Sequence, residues 1–269
     1  RAFVLGTNFI VTYMITIAAT PHLQYIAIPI NMPNSPSAAA NISTNVAATS
    51  TGYDGVVYNN KLFLGWGGSA TTFKMAYLSS QLIVSTESSY AASVADIVSL
   101  TVDSASSIPV VYASFYDATT NDLHAVARTQ SMVALLPKTL IVNADLVQLT
   151  SYAKNGTATI MYQVVNTIVS LGSIRSDYVE QKTVTSLGVV GSATILQRGV
   201  GLGSKAFLDT DLTAYVVVIA GSALQPTYVL INDAGQIIAK LAYSNGGGYV
   251  SGFVLPSISS SSGVYSFSY

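Results

Sequence analysis

Along most of this chain apolar and polar positions alternate with a period of two, and that period predicts strands. Residues 55–66 (GVVYNNKLFLGW) are two apolar runs around Asn59-Asn60, residues that tolerate the positive φ of a tight hairpin turn. Residues 150–162 (TSYAKNGTATIMY) repeat the arrangement around Asn155-Gly156, the strongest short hairpin signal in the chain. Residues 227–243 (TYVLINDAGQIIAKLAY) place Asn232-Asp233-Ala234-Gly235 between two runs rich in β-branched and aromatic residues. The stretch 108–127 (IPVVYASFYDATTNDLHAVA) predicts a fourth pair with a longer polar loop. Helical periodicity is scarce; residues 89–101 (SYAASVADIVSLT) are the best internal stretch for a short helix. The pattern predicts an all-β fold.

Two architectures fit it. The first is a β-sandwich, one or two packed sandwiches, carrying a long N-terminal extended strand. The alternative is a β-propeller. Val56-Val57-Tyr58, Val110-Val111-Tyr112, Ile160-Met161-Tyr162 and Tyr215-Val216-Val217 recur at steps of about 50 to 56 residues, which is propeller-blade spacing. The residues flanking these triplets do not repeat, so the sandwich is the leading expectation. Residues 33–52 (PNSPSAAANISTNVAATSTG) are small and polar and read as a loop or linker. Ser257 to Ser262 read as a loop before a final strand, GVYSFSY. The expected division is residues 1–24 as the extended strand, 25–52 as linker and 53–269 as the sandwich domain.

The opening segment, RAFVLGTNFIVTYMITIAAT, carries no formally charged side chain after Arg1, and the next is Asp54. Its length suits a membrane span, but Gly6, Thr7, Asn8, Thr12 and Thr16 lower the gain from insertion, and no basic cluster flanks its downstream end. Asn8, Thr12, Thr16 and Thr20 stand four apart, as a polar stripe on a pilin-like helix would. Composition arbitrates: Phe, Val, Ile, Thr and Tyr dominate, and these favour a pleated strand. In a strand Phe3, Leu5, Phe9, Val11, Tyr13, Ile15 and Ile17 share one face. A terminal apolar strand of this kind can complete the sheet of a neighbouring molecule or the edge of its own.

Composition narrows the function classes. Half of the 269 residues are hydrophobic and only 9% are charged, against roughly a quarter in an ordinary soluble domain. A net charge of −1 gives little repulsion between copies, so self-association is expected. With 11 basic and 12 acidic residues and no basic run, a nucleic-acid partner is not expected. The absence of Cys removes disulfides, thiolate catalysis and cysteine-held metals. Asn41-Ile42-Ser43 and Asn155-Gly156-Thr157 match the N-glycan acceptor pattern, which favours an extracellular location. Charge is also absent after Lys240, and uncharged ends around a charged middle fit end-to-end subunit contacts.

Candidate chemistry is sparse. His22 follows Pro21 in the apolar opening region and His124 lies near Asp122; both read as structural residues, because a metal site or triad needs partners that the sequence alone does not show. Asp209-Thr210-Asp211, and Asp117 with Asp122, lack the further ligands of a calcium loop and read as turns. RGVGLGSK (198–205) matches neither phosphate-loop nor dinucleotide fingerprint; its glycines read as kinks in a strand. GWGGS (65–69) is not a nucleophile elbow. Trp66, the sole tryptophan, reads as a buried aromatic at a strand end rather than a sugar platform. No catalytic residue, metal or cofactor is expected, and the chain is expected not to be an enzyme.

The charge-free N-terminal strand, the small-residue linker 33–52 and the Ser/Thr/Tyr-rich β domain together resemble extracellular filament subunits assembled by donor-strand complementation. The resemblance is one of pattern across the chain and rests on no motif. It implies a secreted, glycosylated surface subunit that polymerises with itself by inserting residues 2–19 into its neighbour, with adhesive or cell-contact roles. A pilin-like subunit with an N-terminal helix, a glycan-binding β-propeller and a viral capsid or tail protein are the alternatives.

Overall fold

The structure, a computed structural model, describes residues 1–47, 52–69, 71–92, 95–165, 167–168, 174–175 and 178–198, and beyond these the backbone of six strands between Val200 and Ser268. The chain is all-β, with no helix among the described residues. It divides into two compact units, Arg1–Asn143 and Ala144–Tyr269.

The first unit is three successive four-stranded antiparallel sheets, each a simple meander. The first sheet holds β1 (Ala2–Leu5), β2 (Asn8–Ile17), β3 (Thr20–Pro29) and β4 (Ala40–Ser43). The second holds β5 (Tyr53–Tyr58), β6 (Lys61–Gly68), β7 (Thr72–Ser79) and β8 (Ser88–Ala91). The third holds β9 (Ala95–Asp103), β10 (Val110–Asp117), β11 (Asp122–Thr129) and β12 (Ala134–Asn143).

Side-chain parity on β6 explains how the sheets stack. Leu62, Leu64 and Trp66 join Leu5, Ile10, Leu23 and Tyr25 of the first sheet in one core. Phe63, with Phe73 and Met75 of β7, joins Leu100, Val111, Ala113, Phe115 and Val126 of the third sheet in another. The rings of Phe73 and Phe115 stack at 4.2 Å across that second layer. A sheet buried on both faces reads as a continuous apolar run rather than an alternation, and LFLGWGG of β6 is buried throughout. This corrects the sandwich expectation for the first unit. A sandwich has two sheets with one buried face each, whereas here a middle sheet is covered on both sides. The first strands of successive sheets, β1, β5 and β9, lie against one another.

The second unit repeats the plan. β13 (Leu146–Lys154), β14 (Thr157–Val164), β17 (Tyr178–Thr185) and β18 (Thr194–Arg198) form one sheet, and a short hairpin of β15 (Thr167–Ile168) and β16 (Ile174–Arg175) intervenes between β14 and β17. β19 (Val200–Asp209), β20 (Ala214–Gly221), β21 (Pro226–Asn232) and β22 (Ile237–Ala242) form the next sheet, followed by the hairpin β23 (Ser257–Ser261) and β24 (Val264–Ser268). First strands thus begin at Ala2, Tyr53, Ala95, Leu146 and Val200, a step of about 50 residues. Three of the four recurring triplets, at 110, 160 and 215, fall in the second strand of their sheets; the triplet at 56 falls in a first strand.

Most turn signals resolve as expected. Asn59 and Asn60 take φ of 47° and 57°, and Asn155 and Gly156 take 52° and 79°, the left-handed pairs that two-residue hairpins require. The 108–127 pair is β10 and β11 with a polar loop between them. The runs flanking Asn232 are β21 and β22, while the tip at Asp233–Gly235 lies outside the described residues. Two expectations are corrected here. Within 89–101, residues 89–91 belong to β8 and 95–101 to β9, because Val98 and Leu100 are drawn into the core between sheets. Ser257–Ser261 is a strand paired with β24.

The opening segment is also corrected. It is not one extended strand, span or helix but β1 and β2 joined by a turn at Gly6-Thr7, with β2 running on into β3. A two-residue turn pairs Leu5 with Asn8, so the inward parity changes from odd to even across it. Phe3 and Leu5 face the core, then Ile10, Thr12 and Met14. Phe9, Val11, Tyr13, Ile15 and Ile17 lie on the opposite face, where Phe9, Ile15 and Ile17 are exposed. The expected boundaries at 24 and 52 therefore fall inside the first unit: residues 25–52 contain the second half of β3 and all of β4, which completes the first sheet.

Candidate functional site

The first strands converge on a polar cluster that the sequence reading passed over. Arg1 precedes β1, and Tyr53 and Asp54 open β5. The Arg1 guanidinium reaches the Asp54 carboxylate at 2.6 Å and lies over the Tyr53 ring, 5.6 Å from its centroid. Tyr53 donates its hydroxyl to the Thr12 carbonyl at 2.8 Å, and Leu100 of β9 donates its amide to Asp54 Oδ2 at 2.8 Å. Asp96, the second residue of β9, lies close by: a Cβ on Gly52 would come within 1.5 Å of its carbonyl oxygen. Only glycine permits that approach.

The electrostatics are asymmetric. Burial raises Asp54 above the ordinary carboxylate value, and the Arg1 charge and the amides of Leu100 and Gly55 only partly oppose it. The Arg1 side chain is 51% exposed and that of Asp54 15%, so a ligand meets the donor first. A carboxyl acceptor, a guanidinium donor and a tyrosine thus stand together at one end of the sheet stack. The signal available in the sequence was that Asp54 is the first charge after Arg1, and the structure pairs those two.

The other singled-out residues fall elsewhere. Trp66 is fully buried between the first two sheets and donates Nε1 to the Asn45 carbonyl at 3.2 Å, which places it in the core. His124 is buried against Phe115, with Nε2 4.0 Å from Asp122 Oδ2, and burial followed by the Lys138 charge lowers its pKa. Asp122 accepts from Asn143 at 2.8 Å and Asp117 from the Thr119 amide at 3.1 Å; both hold turns. No group of three metal-ligating side chains occurs among the described residues. In β19 the register shifts between Val200 and Ser204, as the kinking glycines of 198–205 suggested. Asp209 ends β19, while Thr210 and Asp211 lie outside the described residues.

His22 Nδ1 lies 3.2 Å from Asn41 Oδ1. Asn41 is exposed on β4, where its Oδ1 also accepts Gln24 Nε2 at 2.8 Å. Ser43 of the same acceptor triplet is buried and donates to Glu87 at 2.5 Å. Asn155 is exposed at the tip of the β13–β14 hairpin.

No family model matches the chain, and no curated protein does. Among solved structures it is similar to an α-L-arabinofuranosidase from Clostridium thermocellum, with 10% identity, TM-score 0.46, and 90% of this chain and 92% of that one covered. It is similar to an endo-arabinanase from Bacillus licheniformis at 11% identity and TM-score 0.40, covering 88% and 94%. A DUF4623 family protein from Bacteroides eggerthii aligns at 14% identity and TM-score 0.43, covering 92% of this chain and 61% of that one. The expectation of a non-enzyme is corrected at this point, because the arabinofuranosidase and the arabinanase are enzymes. At TM-scores below 0.5 these similarities assign no activity to the chain.

Proposed function

We propose that the repeated sheets are blades of a β-propeller and that the chain binds a neutral glycan where the first strands begin, at Arg1, Tyr53 and Asp54. The observation that carries this reading is the convergence of β1, β5 and β9 on one carboxylate. Successive four-stranded meanders packed face to face, with first strands together, are how propeller blades are built. The cluster offers a planar donor and a carboxyl acceptor to hydroxyl groups, and the amphipathic Tyr53 ring to a sugar face. The low charge of the chain and its acceptor triplets at Asn41 and Asn155 support an extracellular location within this reading.

The test is a screen of the full chain against an array of neutral oligosaccharides, followed by titration calorimetry with Asp54→Asn and Arg1→Ala. Each variant should bind at least about tenfold more weakly, as loss of a buried or charge-assisted hydrogen bond predicts. An array with no hits sinks the reading, and hits indifferent to both variants place glycan binding away from this cluster.

A further inference from the structure

One turn recurs after the third strand of three sheets. The hydroxyls of Ser79, Thr129 and Thr185 each accept the amide of the residue four positions on, at 3.2, 3.1 and 3.1 Å. Within these turns Leu82, Met132 and Gly188 take φ of 63°, 66° and 89°, the left-handed region that reverses the chain in one step. Leu82 and Met132 pack against the cores, and the reversal puts the next residue in water. That residue is Ile83, Val133 or Val189, at 66%, 61% and 64% exposure. In the first sheet Ile30 and Met32 follow the third strand and are exposed too.

In the first unit these turns share one rim. A Cβ on Gly6, in the β1–β2 turn, would lie 3.3 Å from Ser80 Cβ in the β7–β8 turn. Asn59, in the β5–β6 turn, donates to Gln130 in the β11–β12 turn at 2.9 Å. Ile108, exposed in the β9–β10 loop, is at the same end, because Val110 pairs with Thr129. β1 and β5 begin at the Arg1–Asp54 cluster and finish at this rim.

We propose that the rim seats on a lipid bilayer carrying anionic phospholipid, with Met32, Ile83, Ile108 and Val133 dipping below the headgroups. Charge selects that occupant. No Asp or Glu stands in residues 5–8, 29–37, 58–61, 79–85 or 129–134, and Asp103, before Ile108, is fully buried and bonded to Ser106. Lys61 and Arg128 flank the turns and donate to neutral groups, the Gln130 and Met132 carbonyls and the Tyr90 hydroxyl. Their positive charge is therefore not cancelled, and it complements a phosphate surface. Carboxylates gather at the other end, where Asp54 and Asp122 stand at the start of strands and Asp117 at the finish of one. Shape points the same way. A protein interface has a continuous apolar centre inside a polar border, whereas here Asn31, Ser80, Gln81 and Ser131 are interspersed with the aliphatic tips. A fluid surface can close around each tip separately. The seating needs neither glycan binding nor a closed propeller, and it leaves the Arg1–Asp54 cluster at the end away from the bilayer.

Flotation of the full chain with vesicles of phosphatidylcholine and phosphatidylglycerol tests it. The wild type should float with them, and more weakly with phosphatidylcholine alone or at high salt. Ile83→Ser with Val133→Ser should weaken binding at least about tenfold. Ile17→Ser, at an exposed apolar site near the opposite end, should leave it unchanged. A wild type that floats with neither vesicle overturns the proposal, as does flotation indifferent to headgroup charge. So does a folded double variant that floats as well as wild type. Self-association that the double variant loses, with no flotation of the wild type, would give the rim to a second copy instead. Should the double variant fail to fold by circular dichroism, a label decides. The protein lacks cysteine, so an environment-sensitive fluorophore on Val133→Cys should shift to the blue on vesicles, while one on Ile17→Cys should not. Equal responses overturn it.

Discussion

The Arg1 guanidinium stands 2.6 Å from the Asp54 carboxylate, and that carboxylate also accepts the Leu100 amide, so one side chain ties together elements of three successive sheets. Its titration should be visible in stability. Burial raises the folded-state value of Asp54 above 3.8, so the folded chain holds this proton to higher pH than the unfolded chain does. Between those two values the contribution of Asp54 to stability falls as pH rises. Asp54→Asn removes the titration. The unfolding free energy of the variant minus that of wild type should therefore rise with pH from about 4 and level off above the folded value. Urea unfolding over a pH series reads the difference, and a flat or falling profile contradicts the assignment.

A second prediction concerns the β2–β3 turn. Ala18 and Ala19 take φ of 47° and 64°, a region in which a Cβ crowds the backbone and Asn and Gly are favoured. Replacing the pair by Asn-Gly keeps the two-residue loop and should stabilise the protein by about 1 kcal/mol. A higher denaturant midpoint at unchanged slope is the expected observation. A lower midpoint would mean that the methyl groups themselves are needed.

That turn also shows why the opening segment misleads a reader of sequence. Asn59-Asn60 and Asn155-Gly156 announce their turns, because their side chains suit positive φ. Ala18-Ala19 announces nothing, and Gly6-Thr7 is easily taken for a polar interruption in a long strand. Each two-residue turn changes the inward parity, so a single row from Phe3 to Ile17 joins two core residues to five outward ones. The all-β class, the hairpins and the buried state of Trp66 were legible from residue type and period. The sheet stack was not, because parity on β6 tells that Leu64 and Phe63 face opposite ways without telling that both faces are covered. Asp54 was missed for a similar reason: its partner is the charge 53 positions earlier in the chain, brought near only by the meeting of first strands.

Gly65 supplies a third prediction. A Cβ there would come within 2.8 Å of Leu100 Cδ1 and 2.9 Å of Phe73 Cζ, in the layer between the second and third sheets. Gly65→Ala should cost about 1–3 kcal/mol by overpacking. Leu100→Val shortens that side chain by one carbon and draws its methyl groups back from the clash, so the double variant should be less destabilised than the two single effects added together. Strict additivity in equilibrium unfolding would show that the sheets move apart at no cost, and the tight-layer argument would fail.

The last prediction separates a pair's net worth from the cost of breaking it. Lys74 of β7 is buried, with Nζ 2.5 Å from Glu87 Oε2, and Glu87 accepts the Ser43 hydroxyl through its other oxygen. Glu87→Ala strands the ammonium between two sheets and leaves Ser43 without this acceptor. It should cost about 2–3 kcal/mol, somewhat under the range for a fully buried pair because Glu87 retains some exposure. Replacing both partners, Lys74→Met with Glu87→Leu, removes the charges together and should return the chain to within about 1 kcal/mol of wild type. The reason is desolvation: the attraction between the two charges mostly offsets the loss of their hydration, while a lone ammonium in the same place has no offset. Equilibrium unfolding of the wild type and these two variants decides the matter. If Glu87→Ala costs no more than the double replacement, water reaches Lys74 freely and the layer between the first two sheets is wetter than its packing indicates.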